Sequence, residues 1–250
     1  MKKMLVITVH SYRGGTGKTL LASNLAASYA RKEKVCLLDY DLRAPSLHSL
    51  FDIEMPDWWI NDYLNGDCDI EEVITEALPN LYVGLANPDA EAIREMMGKG
   101  RSWETQALSK TIQIRDALEQ DGFGKIIFDT APGLAYSSIN AVVGSDIVAL
   151  VMRMDALDIL GTKEMVKGVY ELLEKPTHFV VNMVLPEQME THSAILDSTF
   201  GSKTAAFLPC LCEVRALLAR GNNILIDEGL GYSDALVGLA ADLEAAYQNL

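Results

Sequence analysis

The chain has 250 residues, 21 Lys and Arg against 35 Asp and Glu (formal net charge −14), and 49% hydrophobic residues. Such a chain is not disordered; it fits one α/β domain spanning 1–250 with a sizeable core. The acidic balance and the lack of any Lys/Arg run disfavour strong non-specific DNA binding, which needs clustered cations to displace condensed counterions.

The start, Met1–His10, runs straight into a glycine loop and does not read as a signal peptide. Met4–Val9 is a β-branched run that predicts a buried strand, Ser11–Thr19 a glycine-rich loop, and Leu20–Arg31 a helix with Leu21, Leu25 and Tyr29 on one face. Val35–Leu38 predicts a second strand, parallel to the first through a right-handed crossover, ending in Asp39-Tyr40-Asp41. Further strands are expected at Leu81–Leu85, Lys125–Phe128, Ile147–Met152, Phe179–Asn182 and Ala205–Leu208. Helices are expected at Ile70–Ala77, Ser109–Gln120, Thr162–Leu173, Val214–Arg220 and Asp234–Tyr247, while Pro88–Thr105 reads as a mobile loop or an irregular helix. The strand candidates are continuous apolar runs, so the expected fold is α/β, a doubly wound, mostly parallel sheet with helices on both faces. No stretch reaches the ~18 apolar residues that span a bilayer. The expectation is a cytoplasmic protein.

Chemistry concentrates at Arg13-Gly14-Gly15-Thr16-Gly17-Lys18-Thr19. Small residues let successive backbone N–H groups converge on phosphate oxygens, and a helix opening behind the loop adds its positive end. Lys18 is placed to reach β- and γ-phosphates, and the Thr19 hydroxyl to ligate Mg²⁺. The strict G-x-x-x-x-G-K-[ST] pattern fails, because Tyr12 takes its first glycine position. Asp39 and Asp41 close the second strand, where ligands of open α/β sheets bind; they either serve a metal and a water or cap the next helix. Asp129 comes after Ile126-Ile127-Phe128 in the Walker B arrangement.

These landmarks, in this order, resemble the ParA/MinD group of deviant Walker P-loop ATPases, related to the nitrogenase iron protein and the metal-cofactor assembly ATPases. The resemblance also takes in Pro45-Ser46, Asn61–Asp67 with Ile70-Glu71-Glu72, Asp129-Thr130-Ala131-Pro132-Gly133 and a strand ending in Asn182. It implies an ATPase that binds Mg-ATP and ADP, hydrolyses slowly and dimerises with ATP as a switch. It also implies an activating or cargo protein and a role in spatial organisation or partitioning of cargo. By the same resemblance Asp41 positions the hydrolytic water and Asp39 supports it, so that Thr19, Asp129 and Asp39 form the metal set. Pro132-Gly133 senses the γ-phosphate, Asn182 reads the adenine edge, and Pro209 flanks the base.

Two positions depart from the family. Arg13 stands where a lysine crosses to the partner's phosphates; it acts there as a finger in trans, or stays in cis on its own phosphates or on an acid such as Asp41. Leu20 replaces a hydroxyl residue beside the α-phosphate, a loss of ~1 kcal/mol that nucleotide binding survives.

Among the family's branches, DNA binding is disfavoured by the C-terminal portion, where Lys203, Arg215 and Arg220 face Glu213, Asp227, Glu228, Asp234, Asp242 and Glu244. The end, Asp234–Leu250, has an acidic polar face and reads as a packed helix rather than a membrane-targeting one. Of the four cysteines, Cys36 and Cys68 stand apart and Cys36 reads as buried; Cys210-Leu211-Cys212 is the one close pair. A metallocofactor-assembly ATPase using that pair, and a non-hydrolysing nucleotide-bound scaffold, are the alternatives. Trp58-Trp59 reads as core packing or a partner surface.

Overall fold

The computed structural model describes residues 3–201, 204–210, 212–224, 226 and 230–250; Lys203, Leu211, Asp227 and Glu228 lie outside the described residues. The chain runs through β1 (Leu5–His10), α1 (Lys18–Ala30), β2 (Val35–Tyr40), α2 (Ile60–Asn65), α3 (Ile70–Val73), β3 (Ile74–Leu78), β4 (Leu81–Gly84), α4 (Ala90–Gly98) and α5 (Arg101–Gln120). It continues with β5 (Lys125–Thr130), α6 (Tyr136–Gly144), β6 (Ile147–Met152), α7 (Ala156–Met165) extended by a π-helical turn Val166–Tyr170, and β7 (Thr177–Val184). It ends with α8 (Met189–Phe200), β8 (Thr204–Pro209), α9 (Cys212–Leu218) and α10 (Gly231–Gln248).

All eight strands join one sheet, ordered β3-β4-β2-β5-β1-β6-β7-β8. Every neighbouring pair is parallel except β3–β4. The inner, parallel strands are mostly apolar because both of their faces are covered. Alternation sorts their side chains. Leu5, Ile7, Val9, Val35, Leu37 and Ile127 pack under α1 and α10, with Leu21, Leu25 and Tyr29 as the helix pattern requires. Val6, Cys36, Leu38, Ile126 and Phe128 pack on the opposite face with α2 and α5, and α7 and α8 cover the β6–β7 side of it. The chain leaves β1 for β2 on one side and later returns to β6 on the other. The loop after β1 therefore sits at the reversal point of a doubly wound sheet.

Two sequence expectations need correction, and a third that left two alternatives is resolved. The helix expected over Ile70–Ala77 stops at Val73, and Ile74–Leu78 forms an antiparallel edge strand. Pro79 cannot donate a backbone hydrogen bond, and Asn80 takes φ 64°, so the chain reverses at once into β4. Pro88–Thr105, read as a mobile loop or an irregular helix, is mostly helical, holding α4 and the first turn of α5. Helix α7 starts six residues before the expected Thr162, because Asp155 caps it by accepting the Asp158 N–H at 3.0 Å.

At the far end of the sheet Lys125 is fully buried. Its Nζ pairs with Glu33 and, at 2.6 Å, with Glu244 of α10, and stands 4.4 Å from the Tyr29 ring centroid. One cation thus ties α1, β5 and α10 together.

Candidate functional site

The loop between β1 and α1 is shaped by its glycines. Gly15 and Gly17 have φ of 75° and 88°, a region that costs a residue with a side chain roughly 1–2 kcal/mol. Gly17 caps α1 in that left-handed conformation, so the next residue, Lys18, opens the helix at its positive end. A Cβ at Gly17 would also collide with the Asn182 amide nitrogen. That nitrogen donates to the Thr16 carbonyl at 2.7 Å, while the Met183 N–H donates to Asn182 Oδ1 at 2.8 Å. Asn182 is therefore a brace between the end of β7 and the phosphate loop.

Lys18 is buried, and burial pushes its pKa down; Asp129, Asp41 and Asp158 pull it back up. The acids face it from three elements. Asp129 ends β5 in register with Asp39 of β2, so the two carboxyls lie side by side. Both are fully buried. Burial first, and then Asp129, holds Asp39 well above the usual carboxylate range. Burial likewise raises Asp129 to about 7, against the lowering pull of the Thr19 hydroxyl bonded to it and of Lys18.

The two acids are used differently. Both oxygens of Asp39 accept backbone N–H groups, from Asp41 at 3.0 Å and Leu47 at 3.3 Å. Asp39 thereby folds the loop that carries Asp41. Asp129 Oδ1 is buried and has no hydrogen-bond partner among the described residues. A buried, unpaired carboxylate oxygen beside the Thr19 hydroxyl, with Ser46 Oγ 3.4 Å from Thr19 Oγ1, is a donor set that suits a hard divalent cation such as Mg²⁺. Asp41 Oδ1 accepts the N–H groups of Arg43 and Ala44 at 3.3 and 3.0 Å, which fixes its carboxylate at the mouth of the site.

Arg13 lies neither on Asp41 nor across the loop. Its guanidinium pairs with Asp155, the cap of α7, at 3.3 Å. The partners are 40% and 43% exposed, so the pair is worth no more than about 1 kcal/mol and is readily exchanged. Asp155 also takes Arg153 at 3.5 Å, and Asp158 accepts the Arg153 N–H at 2.8 Å. Tyr12, in place of the strict motif's first glycine, presses its ring into the space left by Gly161 of α7, which has no Cβ. Sequence reasoning missed α7 as a wall of the site; the Asp155-x-x-Asp158 capping spacing was the available signal.

Beside the loop a cavity of about 490 Å³ is lined by Gly15, Gly17, Leu20, Asn182, Met183 and Pro209, with Cys210 and Tyr232 among further walls. It is mostly apolar, the character of a site for a flat heterocycle. Leu20 thus faces a cavity where a hydroxyl was expected. Cys210 and Cys212 are exposed, and among the described residues no group of three or more His, Cys, Asp or Glu is placed to hold a metal.

Residues 4–182 match the AAA_31 family, described as an AAA domain. The chain belongs to the AAA_31 family. Among its relatives, an uncharacterized ATP-binding protein of Methanocaldococcus jannaschii is 23% identical over 223 residues, covering 89% of this chain and 80% of that protein. Of solved structures, the septum site-determining protein MinD of Pyrococcus horikoshii, complexed with Mg-ADP, superposes with a TM-score of 0.78 at 20% identity over 97% of each chain. A putative plasmid partition protein of Borrelia burgdorferi, bound to AMPPNP, gives 0.79 at 20% identity over 98% of this chain and 100% of its own. The resemblance to ParA and MinD proteins, and the fold it implies, hold for this AAA_31 member.

Proposed function

We propose that residues 1–250 act as one P-loop ATPase domain. It binds Mg-ATP, hydrolyses it slowly and uses it as a nucleotide-dependent dimeric switch, in spatial organisation or partitioning of a cellular cargo. The observation that carries this reading is a buried Lys18 at a helix N-terminus within the electrostatic reach of a buried Asp129 whose Oδ1 has no partner among the described residues. Relatives crystallised with Mg-ADP and AMPPNP support the ligand, and a MinC:MinD complex supports an activating or cargo protein.

In this reading the amides of Gly14, Gly15, Thr16 and Gly17 and the Lys18 ammonium hold the phosphates. Thr19 and Asp129 hold Mg²⁺, which neutralises charge on the β- and γ-phosphates when bound. Asp39 fixes the Asp41 loop, and Asp41 orients the attacking water with the oxygen left outside its turn. Arg13 exchanges Asp155 for phosphate charge across the dimer. Asn182 and Pro209 wall the adenine, with Asn182 keeping its hold on Thr16.

The decisive experiment is sizing in solution with ADP and with ATP, with phosphate release read alongside. The expected result is a monomer with ADP, a dimer with ATP, and a persistent dimer without turnover in Asp41→Ala. Arg13→Ala is expected to abolish ATP-dependent dimerisation or hydrolysis. A calorimetric titration with Mg-ATP that shows no heat would overturn the whole reading.

A further inference from the structure

His10 is the last residue of β1 and is fully buried on the sheet face opposite α1. Core packing asks for an aliphatic residue there, as at Val6 two pleats earlier. What distinguishes His10 is that both its ring nitrogens are engaged. Nε2 lies 2.8 Å from the Gly133 carbonyl, and Nδ1 meets the Tyr170 hydroxyl. A carbonyl can only accept, so Nε2 carries the hydrogen. Nδ1 is then the acceptor, and Tyr170 donates to it. The ring is neutral: burial lowers its pKa to about 4, so this one tautomer persists across the working pH range.

Gly133 belongs to the Asp129–Gly133 segment that leaves β5 for the phosphate site. It sits at φ 72°, and its N–H donates to the Ser11 carbonyl at 2.9 Å. Its two polar groups are therefore both held by adjacent residues, His10 at the end of β1 and Ser11 just after it, where the chain enters the phosphate loop. Tyr170 is buried and closes the π-helical turn that continues α7; its ring meets His10 edge-on at 6.0 Å. Such turns are frequent at functional sites. Toward its start α7 is capped by Asp155, which holds Arg13, and midway it carries Gly161, which receives Tyr12.

We propose that His10 and Tyr170 are positioning residues that set the Gly133 carbonyl, and with it the segment facing the terminal phosphate, and that they couple that segment to helix α7. The inference rests on the ATPase reading and adds to it the means by which the γ-phosphate is felt at the Arg13–Asp155 pair. Movement of Gly133 toward a phosphate pulls on the imidazole; the imidazole pulls on Tyr170 and so on α7. Coupling of this kind needs a physical chain with two arrangements, and the hydrogen-bonded path from Gly133 to Tyr170 supplies the contiguous part.

Three substitutions separate the two arms. His10→Gln keeps a donor where Nε2 stands; His10→Asn keeps an acceptor where Nδ1 stands but cannot reach Gly133; Tyr170→Phe removes the hydroxyl at constant volume. Mg-ADP affinity by calorimetry, kcat and KM by phosphate release, ATP-dependent dimerisation by sizing, and thermal melts are measured for each. The expected result is Mg-ADP affinity within about twofold of the parent for all three, with kcat down roughly tenfold in His10→Asn and largely restored in His10→Gln. Tyr170→Phe is expected to weaken ATP-dependent dimerisation, and its effect is not expected to add to that of His10→Asn. Parent-like kcat and dimerisation in every variant overturn the proposal. So does a loss in His10→Gln equal to that in His10→Asn, which marks a role in stability alone. A parent protein that neither binds nor hydrolyses Mg-ATP overturns the ATPase reading itself, and this inference with it, before any variant is compared.

Discussion

Asp129 is a residue whose charge state the fold controls through burial. Its carboxyl rises from 3.8 to about 7 on folding, so between those values the folded, nucleotide-free protein holds a proton that the unfolded chain has lost. The stability linked to this group is present at low pH and declines as pH climbs from about 4 to about 7. Asp129→Asn is expected to raise the melting temperature of the nucleotide-free protein at pH 7, to flatten this part of its pH dependence, and to abolish Mg-dependent phosphate release. Thermal melts across pH check the first two. Cation binding needs the carboxylate, so Mg-ATP affinity should fall below pH 7 and binding should release a proton, visible by calorimetry in buffers of different ionisation enthalpy. Gly17→Ala, forced to φ 88° against the Asn182 amide, should lose about 5- to 30-fold in nucleotide affinity if about 1–2 kcal/mol of strain falls on the loop, checked by the same titration. At this scale, residues contiguous in the chain were legible: Arg13–Thr19, Asp39–Asp41 and Asp129. The contacts that were not legible join residues far apart, such as Arg13 to Asp155 and His10 to Tyr170. No local pattern marks a hydrogen bond that tertiary folding alone creates.

Among elements, strands were read better than helices. Continuous apolar runs mark β1, β2, β4, β5, β6 and β7 because both faces of a parallel sheet are dry. β3 was missed because an edge strand is half exposed, and its Ile74-Thr75-Glu76 continues from a capped helical turn that reads onward as helix. The early start of α7 was lost to Leu157 and Leu160, whose exposure breaks the apolar stripe that sequence periodicity relies on. The Lys125 cluster is a test at this scale. Glu33, in the turn after α1, and Glu244 of α10 converge on one buried ammonium, and Lys125→Ala removes the cation they share. The variant should lose about 3 kcal/mol of unfolding free energy in a denaturant titration, with nucleotide affinity little changed because the cluster lies at the opposite end of the strands.

For the whole molecule, the proposed dimer calls for an apolar surface close to the phosphate loop. Five exposed apolar side chains, Tyr12, Leu134, Tyr136, Leu157 and Leu160, belong to the segments around the phosphate loop. Arg13 stands among them in a half-exposed pair. Among the described residues no helix is long and apolar enough to cross a membrane. Mg-ATP at a hundred times its dissociation constant should stabilise the fold by about 2.7 kcal/mol, and so raise the melting temperature by roughly 5–10 °C for a chain of this size. A scan that shows no shift under those conditions counts against the proposed ligand.

The hold of Asn182 on Thr16 has a consequence for how fast nucleotide is caught. A strand end grips the loop through a bond within the chain itself, so incoming phosphates meet a braced cradle and spend little of their interaction on ordering it. Capture should then track encounter frequency, and cutting that tether by Asn182→Ala should slow arrival more than it hastens departure.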